Sequence, residues 1–459
     1  MKLSKDLLFE KAAVALTEAE KLGATQAEVT VTLQQSALTR LANSIIDQNV
    51  SENRAAVRIR TFLGKQKGSI QVNALDDGIV KEAVESSIKY AKISPEDKDF
   101  KSLIEPKPPK TDLDFSKILC NATAEASPED RADYAMKAVN VAHSVDKRIS
   151  VVAGAISNTF AERVVCNSFG VEAYQALTLG EIDLTVLARD GEEETAGWAS
   201  DYKRDFRKLR IDTVAEIAAQ KAANGFGVKS VEPGEYEIIL EPAALGGLMF
   251  FIAYFGFSAV MYQDYRSFLR DRIGEKIFSS NLTFWDDGLD DRFPGPQVFD
   301  SEGYPKSRLN LVEKGVVKNL VYDSYTAGKD GVESTGHSWR GWGRSMPFPT
   351  HVVVQEGDSN MEEMIAETKR GILVTHFHYQ NPVDPTKGVL TGLTRDGTWL
   401  VENGEISHPV GTLRYTDAVP RFLSQIDLIG KYPELKQEER ITPPIKLPSF
   451  RISGSNKKS

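Results

Sequence analysis

The chain of 459 residues and 50.7 kDa is longer than a single hydrophobic core usually organises, so two or three domains are expected. Hydrophobic residues at 41% and charged residues at 26% exclude wholesale disorder, a collagen-like repeat and a polytopic membrane protein. A formal net charge of −9 argues against direct nucleic-acid binding, which needs a basic surface to displace counterions. Cys120 and Cys166 are too few for a disulfide framework, and no Cys-x-x-Cys pair offers a zinc ribbon. Charge interrupts the apolar positions of the N-terminal segment, so it does not read as a signal peptide, and a cytoplasmic protein is expected.

The first helix is capped by Ser4, repeats Leu8, Ala12, Ala15, Ala19 and Leu22 at three- and four-residue steps, and stops at Gly23. AEVTVTLQ then alternates, with Val29, Val31 and Leu33 on one strand face. NRAAVRIRTFLGKQKGSIQVNA predicts two more strands about a Gly64–Gly68 turn, and DDGIVKEAVESSIKYAK a helix. Residues 149–225 repeat this order: strands, a charged glycine turn in ARDGEEET, and the helix IDTVAEIAAQKAAN. A duplicated β-rich unit with a covering helix is the simplest account, with halves at about 1–103 and 116–232 joined by a Pro/Lys-rich linker at 104–115.

VEPGEYE marks the next boundary. From 233 to 459 short strands and turns predict a β-rich sandwich or barrel-like domain that ends in one strand and a disordered tail. The whole is read as an α+β protein. Residues 242–262, PAALGGLMFFIAYFGFSAVMY, carry no charge and are long enough to span a bilayer. Three glycines, no basic flank and long polar neighbours favour a buried core or interface helix instead.

The order of an apolar glycine-containing helix, FDSEG…LVEKGVVKNLVYDSYTA, STGHSWRGWGRS and WLVENGEI…PV resembles the C-terminal domain of the TldD/TldE (PmbA) family, once labelled modulators of DNA gyrase. The duplicated N-terminal unit fits that family too. The resemblance implies a two-subunit peptidase that encloses peptides in a cleft. Its TldD-type member binds zinc through a His-Glu-x-x-x-His helix and a C-terminal cysteine; its TldE-type member lacks that site and pairs with the active subunit. In this chain the two histidines match Phe250 and Phe255, and the glutamate matches Phe251. No His, Cys, Asp or Glu occurs anywhere in 242–262, so neither zinc ligands nor a base for its water are present there. These aromatics read as packing residues, or as a surface for a partner or an apolar peptide.

Three other groups of residues carry chemistry. His376 and His378 form an i, i+2 pair that a strand would turn to one face, with Asp384 as a third ligand for a metal. A polar strand face is the plainer account, and the resemblance places His376, His378, Tyr379 and Gln380 beside the family's peptide cleft. Residues 334–351 combine glycines with His337, Trp339, Arg340, Trp342 and Arg344, a composition suited to gripping a peptide or to an ordinary flexible connection. WDDGLDD, with Asp286, Asp287, Asp290 and Asp291, reads as an acidic surface turn, and Cys166 as a core residue.

The expected function is therefore that of a metal-free TldE/PmbA-type subunit. It would hold no cofactor and no catalytic residue, help form the peptide cleft, and leave zinc to a TldD-type partner. A homodimer is the other assembly, and no membrane partner is expected. The alternatives are a stand-alone metallopeptidase using His376 and His378, and a non-enzymatic regulator of DNA gyrase.

Overall fold

The computed structural model describes residues 3–111, 118–341, 344–436 and 440–455. The end of the expected linker, Trp342 and the expected tail from 456 lie outside the described residues.

The N-terminal half is two αβββα units. The first is α1 (Lys5–Lys21), β1 (Gln26–Ala42), β2 (Ile45–Leu63), β3 (Gln66–Val72) and α2 (Asp77–Ile93). The second is α3 (Pro128–Val145), β4 (Ile149–Asn167), β5 (Glu172–Asp190), β6 (Glu193–Lys203) and α4 (Ile211–Ala223). The sequence reading placed no helix over 128–145, although Ser127 caps it through the Asp130 N–H and Pro128 opens its first turn. The units do not form separate sheets. β1 pairs antiparallel with β4, from Glu28 opposite Asn167 to Leu41 opposite Gly154, giving one six-stranded sheet in the order β3-β2-β1-β4-β5-β6.

Both outer strands touch their closing helix at a glycine. A Cβ at Gly68 would lie 1.8 Å from the Ser87 carbonyl oxygen of α2, and one at Gly197 would lie 2.1 Å from the Ala218 carbonyl oxygen of α4. Hydroxyls fasten the same contacts: Thr61 to Ser87 at 2.8 Å, and Thr195 to the Ala222 carbonyl at 2.6 Å. The helices cover one face of the sheet, where Val29, Val31, Val57 and Ile59 meet Leu8, Ala12, Val80 and Val84. β1 and β2 run well beyond the stretch whose alternation is visible. They join through Asn43 and Ser44, both at positive φ (52° and 63°), a two-residue turn that suits strand twist. Residues 47–54 of β2 are mostly exposed, so nothing forces a buried-face pattern on them.

In the C-terminal half, β7 (Gly234–Leu240), β8 (Arg370–Asp384), β9 (Val389–Glu402), β10 (Leu413–Ala418) and β11 (Ile445–Ser455) close into a ring. β7 pairs with β8, β8 with β9, β9 with β10, β10 with β11, and β11 returns to β7. This is the barrel-like reading of the β-rich half, and closure removes the exposed edges of those five strands. A second sheet is built from short strands, among them Phe284–Asp286, Leu309–Glu313, Val352–Val354 and Arg440–Thr442.

The apolar run 242–262 is not one helix. α5 spans Pro242–Ile252, widens into a π-helical turn over Ala253–Phe257, breaks at Ser258 and resumes only over Ala259–Gln263. Ser258 leaves helical geometry as its hydroxyl donates to the Pro347 carbonyl at 2.6 Å, which anchors the break. Leu245, Leu248, Met249 and Ile252 pack into the largest core, with Ile372 and Val374 of β8. No helix among the described residues is long and apolar enough to cross a membrane.

The helix-free face of the N-terminal sheet packs on the C-terminal half. Leu177 of β5 lies against Gly295, Val171 against Gly303, and the Arg163 guanidinium stacks 5.0 Å from the Phe299 ring centroid.

Candidate functional site

The α5 face carries Phe250, Phe251 and Phe255, the three aromatics singled out in the sequence. Phe250 and Phe251 are partly buried, and Phe255 is 7% exposed. Phe250 meets Phe251 edge-on at 5.1 Å between centroids and Phe348 at 5.4 Å, while Phe251 and Phe255 stack at 6.4 Å. A feature the sequence did not signal is Arg440, only 5% exposed, whose guanidinium lies 5.2 Å from the Phe250 centroid.

A zinc ion does not fit this helix. It has no His, Cys, Asp or Glu over 242–262, the side chains that bind zinc, and a fixed cation already lies against the ring of Phe250. Among the described residues, no group of three or more His, Cys, Asp and Glu is arranged to hold a metal anywhere in the fold.

The 334–351 segment is a hairpin of Ser338–Gly341 against Arg344–Pro347, and its candidates part company. Trp339 leans on Phe348, 5.4 Å between centroids, on the side of α5. Its indole folds over Gly341, where a Cβ would come within 1.8 Å of the ring and push the indole aside. Arg344 is exposed and donates to the Tyr254 hydroxyl of the π-helical turn. Arg340 faces the other way. It bonds Glu28 and the Thr30 hydroxyl of β1 and is 9% exposed, which makes it a tie between the two halves rather than an open grip.

His337 is a plain correction. Its side chain is 0% exposed and shares a buried network with Asp286, Nε2 to Oδ1 at 3.0 Å, so no peptide reaches it. Asp286 also overturns the surface-turn reading of WDDGLDD. It is 0% exposed, accepts from Lys306 Nζ at 3.1 Å and takes the His351 N–H at 2.7 Å. Burial alone would raise its pKa; Lys306 and His337 outweigh that and hold the carboxyl well below its usual range. The buried Cys166 is, as expected, a core thiol, pushed up to about 12 chiefly by burial.

The histidine pair is also divided. His376 is 17% exposed, lies tilted against Trp198 of β6 at 4.7 Å between centroids, and sets Nε2 3.4 Å from Asp396 Oδ2. Burial, with Lys221 and Arg395 nearby, pushes its pKa down to about 3, so the ring is neutral near pH 7. The carboxylate beside it is Asp396, not Asp384, which instead caps the next turn through the Thr386 and Lys387 N–H groups. Asp396 sits at φ 52° and Gly397 at 128° inside β9, a kink that turns this carboxylate inward. An Asp-Gly pair within a strand pattern was the available signal.

His378 lies edge-on to Tyr379 at 4.3 Å. Tyr379 is 71% exposed at φ 49°, and Gln380 donates to the Tyr415 hydroxyl at 2.9 Å while its Oε1 lies over Gly247 of α5. Gln380 therefore does reach the α5 helix, whereas His376 belongs to the contact between the two halves.

Comparison with known proteins fits this architecture. The model of the PmbA/TldA metallopeptidase C-terminal domain matches residues 233–454, and that of the central domain matches residues 121–226. The chain belongs to the PmbA/TldD family. Its fold aligns with the crystal structure of TldE from Thermococcus kodakarensis at a TM-score of 0.89 and 26% identity, covering 97% of this chain and 100% of that one. The metalloprotease PmbA homolog of Haemophilus influenzae is 26% identical over 99% of this chain and 98% of its own. An uncharacterized protein of Methanocaldococcus jannaschii is 32% identical, but that match spans only 48% of this chain and 51% of the relative.

Proposed function

We propose that this family member is a metal-free, TldE/PmbA-type subunit that pairs with a zinc-bearing TldD-type subunit and forms one wall of its peptide cleft. The observation that carries the reading is α5 itself. Phe250, Phe251 and Phe255 stand at the positions that the resemblance assigns to two histidines and a glutamate, and the Arg440 guanidinium lies against Phe250. A helix so furnished offers aromatic surface and positive charge rather than a Lewis acid or a base. Phe250, Phe251, Trp339 and Arg344, with Tyr379 and Gln380 from β8, supply apolar contacts and donors for an extended peptide. Hydrolysis would come from the partner's zinc.

The test is to mix the purified chain with a TldD-type protein and follow both the complex on a sizing column and cleavage of an unfolded peptide. A stable complex, with cleavage that needs both chains, is expected. No complex at micromolar concentrations, or cleavage by this chain alone, would sink the reading.

A further inference from the structure

The helix-free face of the N-terminal sheet and the loop after Phe299 line a half-open pocket of about 160 Å³ that lies apart from the α5 face. Thr30 and Thr32 of β1, Arg58 of β2, Arg163 of β4, Ser301 and Arg340 line it, and no carboxylate does so among the described residues. Strand alternation separates this pocket from the peptide wall: Trp339 faces Phe348 and α5, and its neighbour Arg340 faces the sheet.

Three guanidiniums meet there, and among the described residues only Arg340 of the three has a carboxylate in ion-pair contact. Arg58 donates from Nε and a terminal nitrogen to Gln71 Oε1, at 3.1 and 2.9 Å, a neutral acceptor. Arg163 donates to the carbonyls of Phe299 and Asp300 at 3.3 and 3.4 Å, again uncharged. The Asp300 carboxylate is taken up by the N–H groups of Glu302, Tyr304 and Ser338 at 2.8, 3.0 and 2.9 Å. Arg340 shares the single carboxylate of Glu28 with Arg60. Guanidiniums that line one cavity with no carboxylate in its lining suit an anionic acceptor, and the planar guanidinium fork matches a carboxylate or phosphate in shape and hydrogen-bond geometry.

We propose that this pocket binds a compact oxyanion, a carboxylate or phosphate group, held by Arg58, Arg163 and Arg340 with the hydroxyls of Thr30, Thr32 and Ser301 completing its hydrogen bonds. Such a group comes either from a free anion or from the C-terminus of a peptide.

Calorimetric titration of the full chain at low salt, without any partner subunit, tests this with inorganic phosphate, acetate, an N-acetylated dipeptide and the same dipeptide as its C-terminal amide. Saturable one-site binding of at least one anion is expected, weakened by about tenfold or more in Arg163→Gln and in Arg58→Gln, since each removes a charge-assisted pair. Arg58 is half-buried and, among the described residues, its side chain hydrogen-bonds Gln71 alone, so its variant is expected to keep the fold even where Arg163→Gln does not. Binding of the dipeptide but not its amide names a peptide terminus; binding of phosphate or acetate alone names a free anion. No saturable binding of any of them, or wild-type affinity in both variants, overturns the proposal. Neither pairing nor hydrolysis enters this experiment, so its outcome is separate from that of the subunit reading.

Discussion

The indole of Trp198 and the imidazole of His376 lie 4.7 Å apart between centroids, one from each half of the chain. This contact makes His376 part of the seam between the halves, where burial, with Lys221 and Arg395 nearby, gives it a protonation cost.

That cost has a definite sign. The folded His376 holds its proton only near pH 3, whereas the unfolded side chain takes one up at about 6.5. The unfolded state thus binds more protons between those values, and stability drains away as pH falls below 6.5. His376→Phe keeps a ring against Trp198 and removes this drain. In urea unfolding, the variant should gain on the wild type by roughly 1 kcal/mol between pH 6 and pH 5. A constant difference across that interval would contradict the assignment.

Asp286 and Lys306 are both essentially inaccessible, at 0% and 1% side-chain exposure. Asp286→Asn leaves the Lys306 ammonium buried without its counter-charge, which should cost about 3–5 kcal/mol in denaturant unfolding. Adding Lys306→Met removes the stranded charge, so the double variant should be more stable than Asp286→Asn alone. Additive losses would mean the two side chains do not depend on each other.

Gly68 and Gly197 hold the same contact in the two units, each against the carbonyl oxygen of a closing helix. Alanine at either position must push α2 or α4 off its strand. Each substitution should destabilise the protein by about 1–3 kcal/mol, the usual range for an overpacked site, with thermal unfolding as the readout. A loss at one position and none at the other would show that the units are not held together alike.

The purified chain should carry less than about a tenth of an equivalent of zinc, because the α5 segment supplies no His, Cys, Asp or Glu. Elemental analysis without added chelator measures this. Near one equivalent would direct attention to His376 and Asp396, the closest approach of imidazole and carboxylate on β8 and β9.

What the sequence by itself determined were features set by chemical identity and local period. Leu8, Ala12, Ala15 and Ala19 mark the buried stripe of α1, and Val29 and Val31 the buried face of β1, because 3.6- and 2-residue repeats survive in any tertiary context that buries one face. The absence of a metal donor from the side chains of Phe250, Phe251 and Phe255 was equally legible, since a phenyl ring offers no lone pair in any fold. Tertiary structure alone decided where long-range partners meet. His337 and Asp286, 51 positions apart, read as a loop histidine and a surface acid until packing buried both against Lys306. Arg340 read as an open grip, yet Glu28, 312 positions away, holds it. Nothing in a local window encodes such pairings, because they depend on which strands lie side by side and which face of the sheet the other half covers.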